Sequence, residues 1–445
     1  MSSTHPGRTI RSGATQNLSG TIRPAADKSI SHRSVIFGAL AEGETHVKGM
    51  LEGEDVLRTI TAFRTMGISI ERCNEGEYRI QGQGLDGLKE PDDVLDMGNS
   101  GTAMRLLCGL LASQPFHSIL TGDHSLRSRP MGRVVQPLTK MGARIRGRDG
   151  GRLAPLAIEG TELVPITYNS PIASAQVKSA IILAGLNTAG ETTIIEPAVS
   201  RDHTERMLIA FGAEVTRDGN QVTIEGWPNL QGQEIEVPAD ISAAAFPMVA
   251  ALITPGSDII LENVGMNPTR TGILDLLLAM GGNIQRLNER EVGGEPVADL
   301  QVRYSQLQGI EIDPTVVPRA IDEFPVFFVA AALAQGQTLV QGAEELRVKE
   351  SDRITAMANG LKALGAIIEE RPDGALITGN PDGLAGGASV DSFTDHRIAM
   401  SLLVAGLRCK ESVLVQRCDN INTSFPSFSQ LMNSLGFQLE DVSHG

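Results

Sequence analysis

The chain has 445 residues, of which 41% are hydrophobic and 20% are charged. This length exceeds what one hydrophobic core usually supports, so we expect a globular protein with at least two domains. The formal net charge of −15 disfavours binding to nucleic acid or to acidic membrane surfaces, because both repel an acidic protein.

The sequence carries no clear signal for a membrane span, for secretion or for a metal. No run approaches the ~20 apolar residues that a span requires, and residues 1–20 lack the apolar segment of a secretory signal. Those residues are rich in Ser and Thr and faintly similar to a transit peptide, but they are too few, so we expect a cytoplasmic bacterial protein. The four cysteines lie far apart, which predicts reduced thiols and no metal site.

One structural unit recurs along the chain. A helical segment that ends at Gly and continues into a strand occurs six times, with steps of 75, 70, 69, 84 and 71 residues between Gly67, Gly142, Gly212, Gly281, Gly365 and Gly436. Glycine suits the left-handed position that ends a helix. A stretch of small apolar residues precedes each of these helices, and its spacing predicts a helix that is buried nearly all round and is followed by a strand.

Six such units predict an α/β fold of two similar domains. A solenoid is the alternative, but solenoid repeats are usually 20–45 residues long, shorter than the ~70 found here. The midpoint of the repeats lies near residues 237–240, where Pro238 suits a crossing from one domain to the next. Ligands often bind in the cleft between two domains, so we expect a site there.

Cations and hydroxyls cluster where the first buried helix is predicted to begin. The segment DKSISHRS contains Lys28, Ser29 and Arg33, and the unpaired N–H groups and dipole of a helix start attract anions as well. A well-capped helix with solvated cations would explain these residues about equally well. The segment is not a Walker loop, because it lacks the glycines of that motif.

Further segments of the first half repeat this pattern. In GNSGTAMR, the turn that ends at Gly101 can bring backbone N–H groups close to a phosphate or carboxylate. Arg129 lies in an arginine-rich loop, and arginine forks match the geometry of both anions. The third unit adds SAQVKS and Ser200. Ordinary turns and surface ion pairs would use the same residues, yet three such helix starts in one half favour an anion site.

The second half supplies acids as well as cations. Asp322 and Glu323 stand beside an apolar run, where they could transfer a proton or cap the next helix. Charged residues follow at equivalent points of the next repeats, namely Lys349, Glu350 and Arg353, then His396 and Arg397. A solvated face is the usual interpretation of charge runs. Their repeated position instead favours an enzyme that acts on small phosphorylated or carboxylated metabolites without a metal.

Seven motifs resemble those of the enolpyruvyl transferase family and stand in the family's order: LSGTIRPAADKSISHRS, GNSGTAMR, LTGDHSLRSRPMGR, SAQVKSA, RVKESDR, DHRIAMS and TSFP. They cover the chain from about Leu18 to Phe428 and are most similar to the members whose acceptor is shikimate 3-phosphate. The resemblance implies an inside-out α/β barrel fold, with three βαβαββ repeats around buried helices in each domain. It implies one domain at 25–239 and a second at 1–24 with 240–445, with crossovers near 24 and 240.

The resemblance also implies a reaction. The enolpyruvyl group of phosphoenolpyruvate would move to the 5-hydroxyl of shikimate 3-phosphate by addition and elimination, with release of phosphate, in a monomer without cofactor or metal. The residues implied for shikimate 3-phosphate are Lys28, Ser29, Arg33, Ser174, Ala175, Gln176, Ser200, Asp322 and Lys349. Those implied for phosphoenolpyruvate are Lys28, Asn99, Gly101, Arg129, Gln176, Arg353 and Arg397. The implied catalytic groups are Asp322, Glu350 and Lys28.

Three features depart from the commonest family pattern. RPAADKS replaces PGDKS, Leu106 stands where many members have Pro, and Thr423 stands where many have Lys. These features are similar to the second class of the family, which tolerates the inhibitor glyphosate. Gly101 is retained, whereas a tolerant member has Ala there, whose methyl group crowds the inhibitor. The sequence therefore leaves tolerance open.

Two other functions remain open from the sequence. The related transferase that acts on UDP-N-acetylglucosamine shares the fold and the donor. Its pattern has a Cys in the loop before the RPMG-like helix, which is absent from this loop, and Asn after the first Lys, where this chain has Ser29. A non-catalytic repeat protein that binds anions is the other alternative, and it would tolerate loss of Asp322 and Glu350.

Overall fold

The computed structural model describes residues 7–443. Residues 1–6 and 444–445, which the predicted domains include, lie outside the described residues. The chain divides into two compact units. The first, here the N-unit, contains Ala26–Val237 and Val292–Glu295, and the second, here the C-unit, contains Met1–Ala25, Pro238–Glu291 and Pro296–Gly445.

Two short strands precede the N-unit, β1 (Ile10–Ser12) and β2 (Ser19–Ile22). The elements of the N-unit follow in chain order: α1 (Lys28–Leu40), β3 (Glu42–Lys48), α2 (Glu54–Thr65), β4 (Ser69–Asn74), β5 (Glu77–Gln83), β6 (Leu95–Asp96), α3 (Gly101–Leu111), β7 (His117–Thr121), α4 (Gly132–Lys140), β8 (Arg144–Gly147), the single turn α5 (Arg148–Gly151), β9 (Leu153–Glu159), β10 (Thr167–Asn169), α6 (Ala175–Leu186), β11 (Glu191–Ile195), α7 (His203–Ala210), β12 (Val215–Asp218), β13 (Gln221–Glu225) and β14 (Glu234–Glu236).

The strands of the N-unit pair in three sheets, with the orders β14-β3-β5-β4, β6-β7-β9-β8 and β10-β11-β13-β12. In each sheet the first two strands are parallel and the remaining neighbours are antiparallel. This is the pairing of a βαβαββ unit, since a parallel neighbour requires a helical crossover and an antiparallel one requires only a turn. The leading strand of the first sheet, β14, comes from the end of the unit.

The C-unit continues with α8 (Ile241–Ile253), β15 (Asp258–Gly265), α9 (Gly272–Ala279), β16 (Asn283–Val292), β17 (Glu295–Arg303), α10 (Val317–Ala320), α11 (Phe324–Ala332), β18 (Gln337–Val340), α12 (Arg353–Ala363), β19 (Ile367–Arg371), β20 (Gly374–Thr378), β21 (Leu384–Gly386), β22 (Ser389–Asp391), α13 (His396–Gly406), β23 (Cys409–Glu411), β24 (Val413–Gln416), α14 (Phe428–Ser434) and β25 (Leu439–Asp441).

Strands from the start of the chain complete two sheets of the C-unit. β2 lies parallel to β15 in the sheet β16-β17-β15-β2, and β1 lies between β24 and β25, antiparallel to both, in the sheet β22-β24-β1-β25. A third sheet, β18-β20-β19, has isolated parallel bridges from Gln308 and Glu311 in place of a full leading strand, and β21 and β23 form a separate two-stranded parallel sheet. The C-unit therefore also contains three copies of the βαβαββ arrangement.

Buried helices form the centre of each unit. In the N-unit α1, α3 and α6 are buried along nearly their whole length, and in the C-unit the same holds for α8, α11 and α13. These three C-unit helices contact one another pairwise, so the repeats close around a shared core and do not extend as a solenoid. The predicted α/β fold of two domains built from repeated units is confirmed.

The repeated glycines end helices as predicted. All six have positive φ, between 86° and 110°, a conformation that L-residues with a side chain rarely adopt. Each glycine turns the chain from the second helix of its repeat into the next strand, which fixes the direction of both elements. Among residues 7–443, no helix is long and apolar enough to cross a membrane.

Candidate functional site

The first predicted group lies at the start of α1 in the N-unit. Asp27 caps the helix, because its carboxylate accepts a hydrogen bond from the backbone N–H of Ile30 at 2.8 Å. Lys28 is the first residue of the helix, and its Nζ lies 3.0 Å from Asp55 Oδ2 on α2. Asp55, which was not among the predicted site residues, therefore fixes the direction of the Lys28 side chain.

Arg33 occupies the interior of the N-unit. Its Nε donates to Thr204 Oγ1 on α7 at 2.7 Å, and its Nη2 donates to Ser179 Oγ on α6 at 2.9 Å. Its Nη1 donates to the carbonyl oxygen of Ser29 at 3.1 Å. The alternative of a solvated cation is therefore wrong for Arg33, which is buried and held in one orientation by three helices.

His32 stands next to Arg33 and is buried as well. Its Nδ1 lies 2.8 Å from Thr59 Oγ1. Burial, together with the positive charges of Lys28 and Arg33, lowers the pKa of His32 well below its usual value. The imidazole is therefore neutral at physiological pH, and the positive charge at this helix start comes from Lys28 and Arg33 alone.

The glycine turn and the arginine loop meet at the start of α3. Arg129 is buried, and its Nη2 donates to Asn99 Oδ1 at 2.5 Å and to Ser125 Oγ at 3.3 Å. A Cβ added at Gly101 would lie 3.3 Å from Arg129 Nη1 and 3.1 Å from Arg105 Nη1. The absence of a side chain at Gly101 thus allows two guanidinium groups to approach the helix start closely.

Gln176 links α3 to α6. Its Oε1 accepts a hydrogen bond from Arg105 Nη1 at 2.6 Å, and its Nε2 donates to Thr102 Oγ1 at 3.0 Å. Arg105 was not predicted as part of the site, although it follows Gly101 by four residues and therefore lies on the same helix face. Ala175, the residue before Gln176, is the first residue of α6.

Ser174 and Ser200 share one buried partner. Ser174 precedes α6 and caps it through Val177, and its backbone N–H donates to Glu196 Oε1 at 3.2 Å. Ser200 Oγ donates to the second oxygen of the same carboxylate at 2.9 Å. Lys178 Nζ lies 2.9 Å from that oxygen. The sequence did not identify Glu196, because it follows a strand with no pattern of its own.

Arg353 is the centre of the charged cluster in the C-unit. It is only 2% exposed; its Nε donates to Asp395 Oδ2 at 2.9 Å, its Nη2 donates to Glu350, and its Nη1 lies 3.3 Å from Asp322 Oδ1. Burial alone would lower the pKa of Arg353, but the negative charges of Asp395, Glu350 and Asp322 outweigh it and raise the pKa above its usual value. The guanidinium is permanently charged.

Asp322 faces two further cations. Lys349 Nζ lies 3.8 Å from Asp322 Oδ1, and Arg397 Nη2 lies 4.0 Å from Asp322 Oδ2. Arg397 Nη1 also donates to the backbone carbonyl of Asp322 at 2.9 Å. Glu323 precedes α11 but makes no side-chain capping bond; instead its buried carboxylate accepts from Ser242 Oγ. The alternative of simple helix capping is therefore not supported for Glu323.

The predicted site residues thus form one cluster in each unit. In the N-unit they lie on the first two turns of α1, at the starts of α3 and α6, and in the segments before α4 (Arg129) and α7 (Ser200). In the C-unit they lie at the starts of α11, α12 and α13, where His396 is the buried first residue of α13. The sequence missed the acids that hold the cations, above all Asp395. Its position directly before a helix was the available signal, since Asp is a preferred N-cap residue. Within residues 7–443, no three His, Cys, Asp or Glu side chains are grouped to hold a metal ion.

Comparison with solved structures defines the class of fold. EPSP synthase from Acinetobacter baumannii superposes with a TM-score of 0.88 at 49% identity, over 98% of this chain and 99% of that one. The enolpyruvyl transferase NikO from Streptomyces tendae superposes with a TM-score of 0.78 at 16% identity, over 98% and 99% of the two chains. The chain therefore has the enolpyruvyl transferase fold.

Sequence comparison defines the family within that class. The model of the family described as EPSP synthase (3-phosphoshikimate 1-carboxyvinyltransferase) matches residues 13–432. Proteins named 3-phosphoshikimate 1-carboxyvinyltransferase from Alkalilimnicola ehrlichii and Geobacter sulfurreducens are 57% and 56% identical, over 95% and 97% of this chain and 94% and 98% of their own lengths. The chain belongs to the EPSP synthase family. It is an enzyme of the shikimate pathway that transfers the enolpyruvyl group of phosphoenolpyruvate to shikimate 3-phosphate.

The anchoring of Arg353 by Asp395 generates a prediction for stability. In Asp395→Asn the remaining oxygen can still cap α13, but a buried arginine loses a charged partner, which should cost about 3 kcal/mol of folding free energy. Asp352→Asn is the matched control, because Asp352 also caps a helix, α12, and pairs with Arg347 at 2.7 Å, but is more exposed. We expect a clear fall in the thermal unfolding midpoint for Asp395→Asn and a much smaller one for Asp352→Asn. Equal losses in both variants would contradict the role of burial.

Proposed function

We propose that the two clusters hold the two substrates of this reaction. Shikimate 3-phosphate would bind to Lys28, Ser29, Arg33, Ser174, Ala175, Gln176 and Ser200 of the N-unit and to Asp322 and Lys349 of the C-unit. Phosphoenolpyruvate would bind to Lys28, Asn99, Gly101, Arg129, Gln176, Arg353 and Arg397. In this assignment the N-unit, predicted at 25–239, is the shikimate-3-phosphate domain, and the C-unit, predicted at 1–24 and 240–445, carries the catalytic acids.

The observation that carries this proposal is the fixed orientation of buried cations at helix starts. Arg129 and Arg353 are both buried, and their hydrogen-bond partners hold them before any ligand arrives. Phosphoenolpyruvate carries a phosphate and a carboxylate, the two anions that a guanidinium binds through paired hydrogen bonds. Cations that are already held in one orientation lose little conformational entropy when a ligand binds, which favours both affinity and alignment of the reacting atoms.

The chemistry is addition followed by elimination. The 5-hydroxyl of shikimate 3-phosphate attacks C2 of phosphoenolpyruvate while C3 gains a proton and becomes a methyl group. The tetrahedral intermediate then loses a proton from C3 together with phosphate from C2, which regenerates the double bond. We assign removal of the hydroxyl proton to Asp322 and delivery of the C3 proton to Glu350. Lys28 and the arginines stabilise the charge that develops on the phosphate.

Exposure supports the choice of these two acids among the carboxylates of the C-unit cluster. The side chains of Asp322 and Glu350 are 15% and 24% exposed, so a ligand can reach them. Asp395 and Glu323 have fully buried side chains. A carboxylate that exchanges a proton with a substrate must contact it. The buried Asp395 and Glu323 are therefore suited to hold the arginines, and the partly exposed pair is suited to react.

Isosteric replacement tests the two catalytic assignments. Asp322→Asn and Glu350→Gln keep the shape of each side chain but remove its ability to exchange a proton, so we expect kcat to fall by about 100-fold or more in each, the usual scale of acid–base catalysis. Glu344→Gln, at an exposed position of the turn that leads to Lys349, is the control and should retain normal turnover. Steady-state phosphate release measures kcat for all three variants. Near-normal kcat in Asp322→Asn or Glu350→Gln would refute the role of that residue.

We further propose that the enzyme acts as a monomer in the cytoplasm, without metal or cofactor. Every charged group assigned to the reaction comes from a single chain, so no second copy has to supply one. The assigned cations Lys28, Arg129, Arg353 and Arg397 carry the charge stabilisation that a metal ion provides in other phosphate-transfer sites.

Tolerance to glyphosate is proposed from two buried positions, Leu106 and Thr423. Leu106 is fully buried in the middle of α3, five residues after Gly101, and Thr423 is buried with its hydroxyl donating to the carbonyl of Asn420 at 2.7 Å. Thr423 does not supply the cation that many family members have at this position. A phosphonate and carboxylate inhibitor would therefore lose one charged contact at this position.

We expect glyphosate to compete with phosphoenolpyruvate only well above low-micromolar concentrations. Inhibition constants measured at several phosphoenolpyruvate concentrations test this. Gly101→Ala should raise the inhibition constant further, because the added methyl would press on Arg105 and Arg129. Competitive inhibition of the unaltered enzyme at low-micromolar glyphosate would overturn the proposal.

A further inference from the structure

A buried ion triad lies beneath the starts of α6 and α7 in the N-unit. Lys178 Nζ is 2.9 Å from Glu196 Oε2 and 2.7 Å from Glu205 Oε1, and none of the three side chains is more than 2% exposed. Such clusters are costly to bury, and apolar residues of the same volume often replace them without loss of stability. The cost of burying the triad therefore indicates a role other than stabilising the fold.

The two glutamates differ in what else they hold. Besides Lys178, Glu196 accepts from the backbone N–H of Ser174 at 3.2 Å, from Ser200 Oγ at 2.9 Å and from the backbone N–H of Ser200 at 3.4 Å. Lys178 adds a donation to the carbonyl oxygen of Ser200 at 3.4 Å. Ser174 and Ser200 lie on separate segments of the chain, before α6 and before α7, so this one carboxylate determines how the two segments are held relative to each other.

From these contacts we infer that Glu196 is a positioning residue for the acceptor substrate, with Lys178 as the cation that holds it. The inference rests on the proposed assignment of Ser174 and Ser200 to shikimate 3-phosphate. Glu196 sets the spacing and direction of the two serines, so that both can donate to the substrate phosphate at once. When the Ser200 hydroxyl turns to the phosphate, the backbone N–H of Ser200 and the ammonium of Lys178 continue to hold the carboxylate.

Glu205 provides an internal control. It lies on α7, is as deeply buried as Glu196 and pairs with the same lysine, but apart from that lysine neither of its oxygens has a hydrogen-bond partner, so it does not hold Ser174 or Ser200. A purely structural triad would respond similarly to the loss of either carboxylate. A positioning role predicts that only Glu196 affects the acceptor substrate.

The experiment compares Glu196→Gln with Glu205→Gln in the full-length enzyme, with kcat, both KM values and the thermal unfolding midpoint as readouts. Both variants should lower the unfolding midpoint. In Glu196→Gln we expect the KM for shikimate 3-phosphate to rise about tenfold or more, the effect of losing one charge-assisted hydrogen bond, while the KM for phosphoenolpyruvate stays within about twofold. In Glu205→Gln both KM values should stay within about twofold. Glu196→Asp keeps the charge and should recover part of the lost affinity, and it replaces Glu196→Gln if that variant does not fold.

Two further variants separate this inference from the proposed function. Ser174→Ala and Ser200→Ala should each raise the KM for shikimate 3-phosphate; if neither does, the assignment of the serines is wrong. If the serine variants behave as expected but Glu196→Gln leaves that KM unchanged, or raises it no more than Glu205→Gln does, the positioning role of Glu196 is refuted.

Discussion

The site depends on one constraint, which is that a charge buried in protein must be neutralised by a partner held close to it. Arg353 illustrates it, because this buried arginine lies against three carboxylates, those of Asp395, Glu350 and Asp322. Asp395 is sealed from solvent and also caps α13, so it fixes the arginine to the next repeat. The other two acids keep partial exposure. The same pairing that neutralises Arg353 therefore holds two carboxylates at positions that a substrate can reach.

The repeat architecture explains why such groups recur at helix starts. In each repeat a glycine in the left-handed conformation ends the second helix, and the buried central helix is positioned by the sheet that surrounds it. Lys28, Gly101 and Ala175 are the first residues of α1, α3 and α6, and Arg353 is the first residue of α12. Helix starts present unpaired N–H groups and a positive dipole end, so cations added there reinforce an existing preference for anions. An acidic chain can in this way bind two small anionic substrates.

Much of this was predictable from the sequence because it depends on local pattern. The six glycines mark the repeats, the small-residue stretches mark the buried helices, and the cations next to them mark the helix starts. Assigning a substrate to each residue required the family resemblance, since physical chemistry alone indicates an anion site of unspecified kind. Strand pairings such as β1 with β24 and β25, or β14 with β3, join distant parts of the chain. The local pattern of residues does not specify these pairings.

The residues that the sequence did not reveal are the acids that hold the cations. Asp55, Glu196 and Asp395 act through contacts with residues 27, 18 and 42 positions away in the chain, respectively. No sequence-spacing rule connects residues that lie so far apart in the chain, whereas a helix start or a glycine turn is recognisable from a few neighbouring residues. Glu196 in particular follows a strand without any motif, and only the fold brings its carboxylate to Ser174 and Ser200.

Phosphate release shows whether this chain transfers the enolpyruvyl group to shikimate 3-phosphate. The purified protein would be given phosphoenolpyruvate with shikimate 3-phosphate, or with UDP-N-acetylglucosamine in parallel, and no added metal. We expect rapid release of phosphate with shikimate 3-phosphate and none above background with the nucleotide sugar. Release only with the nucleotide sugar, or with neither acceptor, would contradict this expectation.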